Sequence, residues 1–261
     1  MSNPAVAARS AGRHVAAAAP LHPNLERYLS GPFREIEGFV TREAVWMLDL
    51  LVQFHDAHGI EGGFFEIGVH QGRFLLALEH AARPGDPGVA LDVFEDQALN
   101  IDKSGHGQHA VLQANIARHA MAPGRITIMK GDSTAPATRR DLLALGQEFR
   151  LISVDGGHTA GHAASDLRLA EDLAAPAAGV ILDDFFNGGF PGVTEGLAQY
   201  LNAGGTLRPV GVIAGKMLLA PLSWADRMRS VLRNRLAQEA RWRVREVTFF
   251  GFPYIFARPA N

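Results

Sequence analysis

The chain has 261 residues, 47% of them hydrophobic and 20% charged, with a formal net charge of −2. That length suits one large α/β domain with decorations, and that composition can bury a sizeable core, which excludes general disorder. Cysteine is absent, so disulfides, thiolate metal sites and cysteine nucleophiles are excluded, and any metal must be held by oxygen or imidazole. The near-neutral charge offers no electrostatic footprint for nucleic acid, so a small-molecule partner is expected.

Residues 1–22 read as a disordered or lid-like arm, rich in alanine and interrupted by Arg9, Arg13 and Pro20. The arm lacks the unbroken apolar stretch, about 7–15 residues long, of a secretory signal. No run approaches the roughly 18–20 apolar residues of a membrane span, and a cytoplasmic protein is expected. Residues 23–261 read as a single domain. Over 25–59 the pattern is helical, with Val45, Leu48, Leu51, Val52 and Phe54 on one periodicity and Thr41 placed as an N-cap. The texture then changes. Short apolar runs at 63–67, 89–94, 126–129, 151–154 and 180–182 alternate with helix-like segments at 72–82, 108–119, 134–147 and 161–173. This βαβα alternation predicts an α/β fold whose mostly parallel sheet is covered by helices on both faces.

The tail adds a helix at 193–202, a strand-like pair within 210–219, a basic amphipathic helix at 224–241 and two last strand candidates at 243–250 and 254–257. The arginines of the basic helix read as a solvated face. Its apolar side (Met228, Val231, Leu232, Leu236) is also suited to a homo-oligomer interface.

The first strand runs into Glu66-Ile67-Gly68-Val69-His70-Gln71-Gly72. Glycines there let the backbone turn sharply and approach a ligand beside a helix N-terminus. The spacing differs from the G-x-G-x-x-G that admits a pyrophosphate, and a carboxylate at this place suits a sulfonium better than a phosphate. Taken alone, Gly68 and Gly72 serve equally well as a tight strand-to-helix turn. The second strand ends at Asp92, where an acid accepts from ribose hydroxyls in Rossmann-type sites. The third ends at Gly131-Asp132-Ser133, with Asp132 placed either to accept from an adenine amino group or to cap the next helix, and Ser133 placed to help.

These three strand ends resemble those of class I S-adenosylmethionine-dependent methyltransferases. The resemblance implies a Rossmann-like fold with a seven-stranded sheet and an antiparallel C-terminal strand. It implies S-adenosylmethionine as cofactor, with Glu66, Gly68 and Gly72 lining its methionine half and Asp92, Asp132, Ser133 and Asp155 completing the site.

The fourth strand ends in Asp155-Gly156-Gly157-His158 and the fifth in Asp183-Asp184. Adjacent parallel strands bring these ends to one edge, and three carboxylates so close require a compensating cation. An all-oxygen cluster suits Mg²⁺, then Ca²⁺ or Mn²⁺. The interval between Asp155 and the Asp183-Asp184 pair resembles that in the macrocin and mycinamicin O-methyltransferases and the cephalosporin hydroxylase/rhamnosyl O-methyltransferase group. It is less similar to catechol O-methyltransferase, which has an amide where Asp184 stands. The resemblance covers 64–186 and implies a Mg²⁺-dependent O-methyltransferase acting on a hydroxyl of a sugar or glycosylated natural product, with Asp155, Asp183 and Asp184 as metal ligands. A catechol-type acceptor is the alternative. A Rossmann oxidoreductase is a more distant one, disfavoured by Glu66 and the glycine spacing.

The catalytic base would be His158, three residues beyond Asp155, or Asp155 itself; a structural role for His158 in the loop is the competing reading. Residues 92–107 look distinctive without offering individual roles, and read either as a cofactor-covering loop or as a solvated connection. Phe185, Phe186 and Phe190 either wall an acceptor pocket or belong to the core.

Overall fold

The computed structural model describes residues 20–260; of the arm expected over 1–22, residues 1–19 lie outside the described residues. Three helices come first, α1 (Pro23–Ser30), α2 (Pro32–Glu35) and α3 (Arg42–His58), as the helical pattern before residue 59 anticipates. The alternating segment follows as β1 (Gly63–Ile67), α4 (Arg73–Ala81), β2 (Gly88–Asp92), α5 (His109–His119), β3 (Ile126–Lys130), α6 (Pro136–Ala144), β4 (Phe149–Val154), α7 (Ala160–Leu173) and β5 (Ala174–Leu182). The tail forms α8 (Pro191–Asn202), β6 (Leu207–Ile213), β7 (Lys216–Pro221), α9 (Leu222–Ala237), β8 (Trp242–Phe249) and β9 (Phe252–Pro259).

Local chemistry sets the boundaries. Thr41 caps α3 by accepting from the Ala44 N–H at 3.3 Å, and Gly59 ends it at φ 62°, where a side chain would be strained. Thr159 caps α7 in the same way through the His162 N–H. All five residues of β1 are buried, because the strand lies between β2 and β4 with helices above and below. Its side chains alternate: Phe64 joins the core packed by α1, α3, α4, α5 and α9, while Phe65 joins the core packed by α6, α7 and α8. Each such fully buried side chain contributes about 1.5–3 kcal/mol relative to exposure.

The sheet order is β3-β2-β1-β4-β5-β7-β6-β9-β8. Strands β1 to β5 are parallel, and β7 is antiparallel to both β5 and β6. The sheet therefore has nine strands and not the seven expected. The two last strand candidates join this sheet: β9 pairs parallel with β6 and β8 pairs antiparallel with β9, covering what would otherwise be an open edge. In α9 the apolar side (Met228, Leu232, Leu236) is buried against the chain's own core, while Val231 remains exposed. Among the described residues no helix is long and apolar enough to cross a membrane.

The chain winds outward from β1 to β3 on one side and from β4 through β5 on the other. The reversal lies between β1 and β4, where an open α/β sheet leaves a crevice beyond the strand ends.

Candidate active site at the sheet rim

A cavity of about 560 Å³ occupies that crevice. Gly68 forms part of its wall at φ 79°, and a Cβ placed there would stand 1.8 Å from the Asp155 carbonyl oxygen. Only a residue without a side chain lets the first loop pass the β4 loop this closely. Asp92, Asp132, Ser133, Asp155 and His158 also line the cavity, as do Asp183 and Asp184. Residues read from the ends of five separate strands thus face one space.

Two predicted cofactor residues sit elsewhere. Gly72 caps α4 at φ 89° and packs against Leu112; it does not line the cavity. Glu66 is 1% exposed and lies behind the wall. Burial raises its carboxyl to about 8, opposed by the charge of Lys216 and the neighbouring Ser153 hydroxyl. Asp92 faces the cavity while its two oxygens accept the backbone N–H groups of His70 (2.8 Å) and Phe94 (2.7 Å). It thereby fixes the first loop to the second, and desolvation raises its pKa against those hydrogen bonds. Asp132 accepts from the Thr134 N–H and hydroxyl, so it shapes its own turn and also lines the cavity.

The three acids meet at one rim, arranged around a histidine and a lysine. His158 points its Nε2 inward, 3.1 Å from Asp184 Oδ2 and 3.9 Å from Asp155 Oδ1, and its ring stacks on Phe190 with centroids 3.9 Å apart. Ligand atoms of Asp155, His158 and Asp184 lie within 4.8 Å of one another. Asp183 turns instead to the buried Lys216, whose ammonium it contacts. Burial and the Asp183 charge push the Asp155 pKa well up. For Lys216, burial favours the neutral amine, yet Asp183, Asp155 and Glu66 outweigh it and raise the pKa.

Two members of this site escaped the sequence reading. Lys216 heads a run that is otherwise apolar, Lys216-Met217-Leu218-Leu219-Ala220, just after the turn residues Ala214 and Gly215; a lone lysine there was a usable signal. Asp102 comes from the 92–107 segment. Its Oδ2 accepts the His158 backbone N–H at 2.6 Å and stands 2.9 Å from His158 Nδ1, while Oδ1 accepts from the Ser104 N–H at 2.9 Å. Burial disfavours the Asp102 carboxylate, but the Ser104 and His158 hydrogen bonds prevail and hold its pKa low. For His158, burial opposes the charged ring, and the carboxylates of Asp184 and Asp102 raise its pKa in spite of it. The segment is therefore a built loop over the cavity, not a solvated connection: Asn100 also ties it together by donating to the Ser104 and Gly105 carbonyls. Among the aromatic candidates, Phe185 is core, Phe186 is 53% exposed, and Phe190 lines the cavity.

Behind the wall, Asp166 of α7 is fully buried, with the Ser133 side chain beside it. Burial drives its pKa to about 7. The folded state therefore holds a proton that the unfolded chain releases near pH 4. The associated stability is fully present below the ordinary carboxylate range and is lost as pH rises through about 7, up to about 4 kcal/mol in all. Asp166→Asn should raise the thermal midpoint at pH 8 by several degrees and leave it nearly unchanged at pH 4, as followed by circular dichroism melting at both pH values. An equal shift at both would contradict the assignment.

Residues 65–185 match the family described as a methyltransferase domain. The sheet order, with a cavity at its switch point, agrees with the class I S-adenosylmethionine-dependent methyltransferase fold that this match points to. The match favours the methyltransferase reading over the nicotinamide-oxidoreductase alternative. Among solved structures, the fold resembles that of the O-methyltransferase NovP at 12% identity and a TM-score of 0.57, covering 70% of this chain and 81% of that one. It also resembles CalS11, a TDP-rhamnose 3′-O-methyltransferase, at 16% identity and a TM-score of 0.50, covering 76% and 92%. MycE, from the mycinamycin biosynthetic pathway and solved with Mg, S-adenosylhomocysteine and mycinamycin VI, gives 15% identity and a TM-score of 0.50. That match covers 76% of this chain and 53% of MycE. A search of curated protein sequences gave no match.

Proposed function

We propose that the protein is a divalent-ion-assisted O-methyltransferase whose acceptor is a hydroxyl of a sugar or glycosylated natural product. One observation carries the reading: the Asp155, His158 and Asp184 donor atoms gather within 4.8 Å of one another in the same cavity that Gly68 opens to a cofactor. The acceptor class follows the structural relatives, among them a TDP-rhamnose methyltransferase and one solved with mycinamycin VI.

The residues fit both implied groups. The Gly68 position is a cradle that any Cβ would fill, and the walls offer Asp92, Asp132 and Ser133 to a nucleoside. At the acid end, His158 Nε2 is buried without an aligned hydrogen-bond partner, and its neighbours are hard oxygen donors. Asp155 and Asp184, with Asp183, would hold the ion. Bound there, a divalent cation supplies Lewis-acid polarisation of an acceptor oxygen. S-Adenosylmethionine supplies an electrophilic methyl on a sulfonium.

The chain itself provides alignment and a proton acceptor. In-line transfer forms an oxygen–carbon bond as the carbon–sulfur bond breaks, and it needs the acceptor oxygen about 3 Å from the methyl. Because the carboxylates would hold the ion, His158 Nε2 is left free and takes the hydroxyl proton. Asp102 fixes the tautomer by taking the Nδ1 hydrogen bond, and Phe190 holds the ring plane. The 92–107 loop thus lines the cavity and orients the base in one structure.

The test is methyl transfer to glycosides bearing vicinal hydroxyls, measured with Mg²⁺, with EDTA, and after Mg²⁺ is restored. Turnover should vanish in EDTA and return with the ion. Full turnover in EDTA would remove the ion from the mechanism, and turnover of catechol with no glycoside accepted would overturn the acceptor class. Asp102→Asn keeps the size of the side chain but presents an amide to His158. It should lower kcat by about 10–100-fold while leaving the KM for S-adenosylmethionine nearly unchanged. An unchanged kcat would assign Asp102 to loop structure alone.

A further inference from the structure

Lys216 is out of place for an ordinary lysine. It is 3% exposed, and it stands where a divalent ion would need negative charge. The backbone puts it there. Ala214 (φ 53°) and Gly215 (φ 79°) form the tight connection between β6 and β7, and both need the left-handed region favoured in two-residue hairpins. Lys216 then follows one residue before the Leu182–Met217 rung, which brings it level with Asp183 at the end of β5. Its ammonium lies 4.8 Å from the centre of the Phe74 ring on α4, an aromatic face that stabilises a cation and turns it toward the acids.

The hydrogen bonds of Asp183 show what this achieves. One oxygen, Oδ1, accepts the Asp184 backbone N–H at 2.7 Å, and the other contacts the Lys216 ammonium. Both oxygens are engaged by the chain itself. Asp155 and Asp184, by contrast, turn toward His158. An ion that uses Asp183 must share that carboxylate with a fixed positive charge only a few ångströms away, in a site where screening by water is weak.

We propose that Lys216 is a built-in counter-cation that competes with the divalent ion for Asp183 and so keeps the resting affinity of the cluster for metal low. The inference rests on the divalent-ion reading above. Its consequence is that the fold tolerates the acid cluster with the ion absent, since Lys216 already neutralises part of it, and that metal occupancy is readily reversible.

The experiment is calorimetric titration of Mn²⁺ into the full chain as wild type, Lys216→Met, Lys216→Gln, Asp183→Asn and Asp183→Asn/Lys216→Met. Far-ultraviolet circular dichroism and S-adenosylhomocysteine binding report that each variant is folded. Lys216→Met and Lys216→Gln should bind Mn²⁺ at least about tenfold more tightly than wild type. Asp183→Asn deprives the ammonium of the carboxylate it touches and should bind more weakly than wild type. The double variant, freed of that charge, should regain affinity over Asp183→Asn. Wild-type affinity retained or reduced in folded Lys216→Met and Lys216→Gln overturns the competition while leaving the metal site standing. Saturable binding absent from every protein overturns the metal reading itself, and the proposal with it. If both Lys216 variants fail to fold, Asp183→Asn decides: affinity equal to wild type there contradicts the shared carboxylate.

Discussion

Gly68→Ala is expected to be the most damaging single-methyl change in the chain. Two costs coincide. At φ 79° an alanine is strained, and its Cβ would stand 1.8 Å from the backbone carbonyl oxygen of Asp155 and 2.6 Å from that carbonyl carbon. A flexible side chain could swing away, but a carbonyl held between two strand ends can yield only if the β4 loop moves. Strain of about 1–3 kcal/mol plus the displaced loop gives an expected loss of roughly 3–5 kcal/mol. For a chain of this size that corresponds to a fall in Tm of about 10 °C. Because the displaced loop carries Asp155 and His158, affinity for S-adenosylhomocysteine should also fall by at least about 100-fold. Gly204→Ala is the control: φ is 85° but nothing lies within 4 Å of its Cβ, so only the strain, about 1 kcal/mol, should appear. Thermal melting and nucleoside calorimetry on the two variants separate these cases. Equal, small effects would mean that the Gly68 turn is not held against the β4 loop.

The second large effect belongs to His158. Removing a positioned general base typically costs about 10²–10⁴-fold in rate. His158→Ala should lose kcat in that range and retain S-adenosylhomocysteine binding within a few-fold, because the ring's closest contacts are Asp102, Asp184, Ser104 and Phe190, none of them read as holding the nucleoside. The ring is held from four directions, by Asp102, Asp184, Ser104 and the Phe190 face, which is more constraint than a loop histidine needs for structure alone. Single-turnover rates with saturating S-adenosylmethionine provide the measurement. A kcat within threefold of wild type would transfer the proton-accepting role to a carboxylate, with Asp155 the first to examine.

Much of this architecture is legible in the amino-acid order, and the reasons are specific. The run 63–67 gives β1 without adjustment because five successive apolar or buried-strand residues end at a glycine turn. The helix after it is equally plain from Phe74, Leu75, Leu76 and Leu78. By contrast, β5 begins at Ala174, well before the apolar run at 180–182, because alanines and Pro176 carry no strand signal. Only pairing with β4, Phe149 opposite Ala174, extends it. The strand count illustrates the same limit from the other side: all nine strands were visible as runs, but a family resemblance suggested seven. What places β9 beside β6 is the need to cover an edge, which no local pattern displays.

The site divides along similar lines. Asp92, Asp132, Asp155, Asp183 and Asp184 were found because each ends a strand, and strand ends of a parallel sheet share an edge. Glu66 ends a strand too, yet its side chain points behind the wall; the alternation of β1 assigns a face but does not say how far the cavity reaches. Asp102 and Lys216 lie 56 and 33 residues from the partners they touch, so their pairings depend on how the loop folds over and how the hairpin registers. Such contacts arise from tertiary packing and are silent in spacing.

The claim on which all of this turns is that one rim holds a nucleoside cradle and, beside it, an acid–histidine cluster that takes a divalent ion. Crystals grown with S-adenosylhomocysteine and Mn²⁺, measured for anomalous scattering, address it directly. A strong peak in coordination contact with Asp155 and Asp184, in the same cavity as nucleoside density that passes Gly68 and Asp92, is the expected result. Nucleoside density with no peak among those side chains, or a nucleoside bound away from Gly68, would contradict the account.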